Sequence, residues 1–164
     1  MVIHDKIFWN GFIRQLKELY FLLYLEKYIS CGIDEFLPHF TGKKWRDETK
    51  SYKGKIKWLK EEYLFILLIN HLIEKRFFNY TQRDLMPALK KHFIPFSGTS
   101  FKLNEGYKSK PAAKELQRKL DCLLPENTGL RCRERKYYKA RNEEPVFAVL
   151  KKCGIIIRKS SQNN

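Results

Sequence analysis

Missing from this sequence are the local motifs through which small enzymes are usually recognised. Its eight glycines are isolated, with neither GxGxxG nor GxxxxGK among them, so no backbone cradle for a phosphate is built in. GxSxG and HExxH are absent too. Cys31, Cys122, Cys132 and Cys153 include no CxxC, and His4, His39, His71 and His92 include no i, i+4 pair, so a zinc-type site has no nucleus and the cysteines read as free thiols. The adjacent acids Asp34/Glu35 and Asp47/Glu48 point in different directions on any regular element, which suits a solvated surface better than a two-carboxylate metal site. The sequence therefore predicts no catalytic residue, no metal and no cofactor. The longest apolar run, Leu19 to Leu25, covers seven residues where roughly twenty are needed to span a bilayer. With Asp5 and Lys6 near the start no secretory signal is visible, and a cytoplasmic protein is expected. Internal repeats and low-complexity segments are not evident either.

What is abundant is positive charge: 33 Lys and Arg stand against 18 Asp and Glu in 164 residues, a net charge of +15. The excess bunches in two aromatic-studded stretches, Gly42 to Lys60 and Arg131 to Arg141. Lysine inflated by base composition would scatter evenly and favour Lys over Arg, whereas Arg131, Arg133, Arg135, Lys136, Lys139 and Arg141 crowd around a single Glu134. A polyanion is the partner that turns such self-repulsion into attraction, and nucleic acid is the commonest one. Trp45, Tyr52, Tyr137 and Tyr138 lie between these cations, where rings can stack on bases or serve as packing residues.

With 43% hydrophobic and 15% aromatic residues the chain carries enough apolar mass for a core, and its periodicity is helical. A long helix is predicted over residues 5–30, stopping near Gly32. Because Leu19 to Leu25 is apolar on nearly every side, it must be covered either by the rest of the chain or by a second copy through Leu19, Leu22 and Leu25. Lys55 to Trp58 reads as extended chain or a short strand, and Leu59 to Lys75 as a central helix. A third helix is expected to start at Thr81 with Asp84 in its first turn and Pro87 inside, and a fourth at Ser109 and Pro111 with Leu116, Leu120, Leu123 and Leu124 inward. That fourth helix turns Lys114 and Arg118 outward and is the candidate recognition helix. The segment 131–158 reads either as a β-hairpin or wing, or as a helix over Val146 to Lys152 closed by Gly154 and followed by a strand.

Over Lys55 to Leu124 the chain resembles the C-terminal helical region of RteC-type regulators of bacterial conjugative elements. The resemblance lies in Ile56 and Trp58 ahead of a helix with Leu64, Leu68, Ile69, Leu72 and Ile73, then Phe77 and Asn79, followed by ALKKHF, GTSFK and a Lys-Pro before an amphipathic helix. It implies a winged-helix-like domain that binds DNA upstream of genes for element excision and transfer.

The expectation is thus a mainly α protein with a helix-turn-helix or winged-helix-like core and room for a short β-hairpin near the C-terminus. Its parts are an N-terminal helix and cap (1–42), a helical core (43–125) and a basic C-terminal segment (126–164). The expected role is non-enzymatic nucleic-acid binding, DNA ahead of RNA, as a regulator from a mobile element. An RNA-binding accessory protein and a non-catalytic helical interaction module are the alternatives. The candidate contacts are Lys43, Lys44, Arg46, Lys102, Lys108, Lys110, Lys114, Arg118, Arg131, Arg133, Arg135, Lys136, Lys139 and Arg141.

Overall fold

The computed structural model describes residues 6–42, 51–80, 82–96, 110–126 and 145–155. They are mainly helical, as the periodicity predicts. In chain order they form β1 (Ile7–Phe8), α1 (Ile13–Leu25), α2 (Ile33–Phe36) with a 3-10 turn (Leu37–His39), and β2 (Phe40–Thr41). There follow β3 (Ile56–Lys57), α3 (Glu62–Glu74), α4 (Gln82–His92), β4 (Phe93–Ile94), α5 (Pro111–Leu123) and α6 (Val146–Lys152).

The first helix is shorter than its apolar pattern, for reasons at both ends. Ahead of it β1 pairs with β2, and the buried Trp9 donates its indole N–H to the Phe12 carbonyl at 3.0 Å. The Gln15 side chain reaches back to accept the Phe12 N–H at 2.8 Å, the return half of a capping box. Between them Gly11 is hemmed in, since a Cβ there would lie 2.6 Å from Gln15 Oε1 and 2.8 Å from Trp9 Nε1. At the other end the helix stops well before Gly32, because Lys27 takes a left-handed φ of 63°. Tyr28 N–H then bonds Leu23 O at 2.7 Å and Lys27 N–H bonds Tyr24 O at 3.2 Å, the two bonds of a Schellman motif.

The same design recurs 49 positions later (13 to 62, 25 to 74), and the expectation of no internal repeat is corrected. Trp58 is buried after β3 and donates its indole N–H to Glu61 O at 3.1 Å, as Trp9 does to Phe12. The α3 helix starts after Glu61 and ends with Arg76 at φ 65°, Phe77 N–H bonding Leu72 O at 2.8 Å. Each unit then closes with a helical turn into a second strand (39 to 92, 40 to 93), parallel to the first: Ile7 opposite Phe40, Ile56 opposite Phe93. Parallel pairs need a crossover, which α1 and α3 supply, so neither pair is a hairpin.

The two units exchange equivalent contacts. Asn10 N–H bonds Phe77 O at 2.9 Å, and Leu59 N–H, 49 positions on, bonds Tyr28 O at 2.8 Å. Trp9 stacks on Phe77 with ring centroids 5.1 Å apart, and Trp58 lies 5.2 Å from Tyr28. Residue i meeting j while j′ meets i′ is the signature of a two-fold relation. On its axis one residue meets its own equivalent: His39 and His92 approach Nδ1 to Nδ1 at 2.8 Å. The repeat escapes a reading of letters because residues 7–29 and 56–78 share only Ile7/Ile56, Trp9/Trp58, Leu19/Leu68 and Leu23/Leu72 as identities.

Around this pair α5 packs on α3 and α6 on α1. Leu116, Leu120, Leu123 and Leu124 are buried as expected, although the N-cap residue of α5 is Lys110, not Ser109. Lys119, at the inner edge of α5, ties that helix to the end of α1 through Glu26 at 2.7 Å. For residues 146–152 the helical alternative is the one observed. Gly154 at φ 77° ends α6 and Ile155 N–H bonds Leu150 O at 3.1 Å, a third Schellman ending. Leu19 and Leu22 are buried at 2% and 0% exposure and Leu25 is packed against the same core, so of the two alternatives for the apolar belt of α1 the cover is its own chain, and the second-copy alternative through Leu19, Leu22 and Leu25 is corrected. Thr81, the expected start of the third helix, lies outside the described residues.

Candidate nucleic-acid interface

Of the residues singled out from sequence, Lys110, Lys114 and Arg118 are described; Lys43, Lys44, Arg46, Lys102, Lys108, Arg131, Arg133, Arg135, Lys136, Lys139 and Arg141 lie outside the described residues, as do Trp45, Tyr137 and Tyr138. The three described cations are exposed on α5, spaced by one turn each, as the helical wheel requires. Their surroundings differ. The Lys110 ammonium lies 4.5 Å from the centroid of the Tyr63 ring. Arg118 is held by Glu115 at 2.6 Å, which keeps the Glu115 carboxyl below its usual range, and its guanidinium lies over Gly154, 3.1 Å from where a Cβ would stand. Arg118 thus braces the end of α6 as well as facing solvent. Lys114 takes part in no ion pair among the described residues.

Lys114 and Arg118 line a groove of about 850 Å³ between α5 and α3, together with Asn70, Glu74, Lys75, Gln117 and Asp121. Its floor is fastened by His71. This buried ring bonds Leu124 O through Nε2 at 2.9 Å and accepts the Gln117 amide at Nδ1 at 3.0 Å, while Gln117 also donates to Asp121 at 2.9 Å. Burial holds the His71 pKa below its ordinary value, so the ring is neutral and pins α3 to α5. With Glu74 and Asp121 among its walls the groove is mixed in sign.

The histidines that look scattered in the sequence come together elsewhere. His39 and His92 are both buried, and Tyr52 stacks on His39 at 4.7 Å and meets His92 edge-on at 4.6 Å. Desolvation, then the neighbouring His92 and Lys6, push the His39 pKa down to about 4. Tyr52 is therefore engaged in packing and is not a free platform for bases. No cluster of three or more His, Cys, Asp or Glu that could hold a metal occurs among the described residues. The thiol expectation is corrected for two residues: Cys122 on α5 and Cys153 at the end of α6 form a disulfide. Cys31 is free, its pKa raised to about 11 by burial and Glu35, so it is a poor nucleophile at neutral pH.

Exposed cations that the candidate set did not include lie on the second unit. Lys53, Lys55, Lys57, Lys60 and Lys90 are exposed, and no ion pair holds them among the described residues. Lys55 and Lys57 flank the buried Ile56, the alternation of a half-buried strand, which was the sequence signal for this face. Comparison of the chain with protein-family models, with curated proteins and with solved structures gave no match. Among the described residues no helix is long and apolar enough to cross a membrane.

Proposed function

We propose that this chain is a non-enzymatic nucleic-acid-binding protein, with DNA as its first partner. The observation that carries the reading is the unequal charge of two units built alike. Residues 6–42 balance Lys6, Arg14, Lys17 and Lys27 against Glu18, Glu26, Asp34 and Glu35. Residues 51–96 set nine cations, from Lys53 to Lys91, against Glu61, Glu62, Glu74 and Asp84. A shared scaffold needs no such difference for folding, and a general gain in solubility would not concentrate it in one half. In the sequence Lys43, Lys44, Arg46 and Lys50 precede that unit, and the stretch from Arg131 to Arg141 adds further cations after it.

In this reading the cations hold phosphates, which gives affinity and orientation, and few side chains read bases. The α3, α4 and α5 helices would serve as a helix-turn-helix-like core, with Lys110 and Lys114 on the candidate recognition helix. The RteC resemblance supports a regulator carried by a mobile element and working in the cytoplasm. There the Cys122–Cys153 bond would meet a reducing pool, leaving α6 to rest on Val149, Leu150 and Ile155.

The test is a binding titration with duplex DNA, single-stranded DNA and structured RNA at several salt concentrations. Duplex binding that weakens steeply with salt supports the proposal. Preference for structured RNA would move the protein to the accessory class, and absence of binding to all three would leave the interaction module.

A further inference from the structure

We infer that the outer face of the β3–β4 pair is a stacking site for one unpaired nucleobase, with Phe96 as the platform and Lys55 and Lys57 as the phosphate contacts; this rests on the nucleic-acid reading above. Phe96 is 65% exposed, the most exposed of the large apolar side chains among the described residues. An aromatic ring left this open gains nothing for the core, and the cost of its hydration is recovered when a flat apolar partner covers it.

Its position is fixed by the sheet. Lys57 pairs with Ile94, two residues before Phe96, and Ile56 and Phe93 point into the core, so Lys55 and Lys57 share the outer face with the ring. The Lys57 ammonium stands 5.9 Å from the ring centroid, within cation–π reach. Such a pair suits a nucleotide in particular. The ring offers a face to any base, and the two ammonium groups, two residues apart on β3 and both on one side of the ring, are spaced to meet successive phosphates of the strand leading to it. A duplex presents no base face, so the partner is a single-stranded segment, whether DNA or RNA.

In the first unit the equivalent of Lys57 is Phe8, which is only half-exposed, and the equivalent of Lys55 is Lys6, also half-exposed. The open ring beside two exposed lysines thus belongs to the basic unit.

The experiment uses the full chain and oligonucleotides of about a dozen residues, oligothymidine and oligouridine, each with a central 2-aminopurine whose fluorescence falls on stacking. A duplex of the same length is the control. Phe96→Ala should weaken binding to single strands by about 10- to 100-fold and abolish the quenching, Phe96→Trp should retain both, and duplex affinity should stay unchanged. Lys57→Ala should lower the salt slope on single strands by about 0.7, the value for one phosphate no longer neutralised. The ring is exposed, so these variants fold, which circular dichroism checks. If the parent binds single strands and Phe96→Ala binds them equally well with the same quenching, the platform is wrong while the nucleic-acid reading stands. If the parent binds no oligonucleotide, both fall. Whether thymidine or uridine strands bind more tightly identifies the natural source.

Discussion

Lowering the pH should destabilise this protein well before its carboxylates titrate, and His39 sets the size of the effect. Its ring is 1% exposed, pressed against His92 Nδ1 at 2.8 Å and stacked under Tyr52, with Lys6 adding to the field. Protonating it would place a charge without water beside a ring that already shares its hydrogen bond, and the pKa falls from 6.5 to about 4. Between those values the unfolded chain takes up a proton that the folded chain refuses. Stability is therefore complete above pH 6.5 and declines as the pH drops towards 4, by about 1.4 kcal/mol per unit or roughly 3 kcal/mol in all. Against a typical total of about 5–15 kcal/mol that is a large share. His71, also held low by burial, acts in the same direction, so the parent should fall more steeply than one group allows. Urea unfolding at intervals from neutral pH to pH 4.5 measures the slope, and His39→Asn separates the contributions by keeping a short amide near the Nδ1 position. The variant should be less stable at pH 7.5 and show a slope shallower by about 1.4 kcal/mol per pH unit. An identical slope in parent and variant, or a His39 ring that titrates near 6.5 by NMR, would refute the reasoning.

Other substitutions probe the two-unit design. Gly11→Ala should cost about 2 kcal/mol in urea unfolding because its Cβ meets Gln15, Trp9 and Phe77 below 3 Å. Lys60→Ala, at the equivalent but exposed position, should change stability by less than about 0.5 kcal/mol. Leu22→Lys should give an unfolded chain by circular dichroism, not a folded monomer, since Leu22 is fully buried in its own chain's core. Cys122→Ser should lower stability by about 3 kcal/mol under oxidising conditions and remove most of the response to reductant, because the bond closes a long loop across 31 positions. Lys119→Met should cost about 1–2 kcal/mol, read as a lower thermal midpoint, by leaving Glu26 without its 2.7 Å partner.

Helices α3 and α5 were legible because their apolar spacing and the Pro111 start are local facts. The ends of α1 were not. The left-handed residue there is Lys27, where sequence points to Gly32, and what fixes it is the pairing of Leu23 with Tyr28 through a backbone bond. Of the two-residue strands only β3 was open to the sequence, inside the extended or strand reading of Lys55 to Trp58; β1, β2 and β4 carry too little pattern, and the pairings, Ile7 with Phe40 and Ile56 with Phe93, span 33 and 37 positions. The His39–His92 contact and the Cys122–Cys153 bond were hidden for the same reason, since each joins residues that only the fold brings together. Among the candidate contacts, the helical wheel placed Lys114 and Arg118 outward correctly. It could not show that Glu115 and the end of α6 already engage Arg118.

An internal copy also separates what the fold requires from what the surface adds. Trp9 and Trp58, Leu23 and Leu72, Phe40 and Phe93, and His39 and His92 do the same work at equivalent places, and all are buried. They are core positions that the two units share. Positions exposed in the second unit diverge from the first: Phe12 becomes Glu61 and Leu25 becomes Glu74, whereas Phe8 becomes Lys57, Gly11 becomes Lys60, Leu37 becomes Lys90 and Pro38 becomes Lys91, so lysines outnumber acids among these changes. Each of these four lysines stands at a place where the first unit folds without a cation. Stability alone does not favour this, because an excess of like charge on a small domain repels itself. Under the proposed function an anionic partner would supply the missing attraction, and the first unit would be the scaffold that holds the second in place through the Asn10–Phe77 and Leu59–Tyr28 bonds.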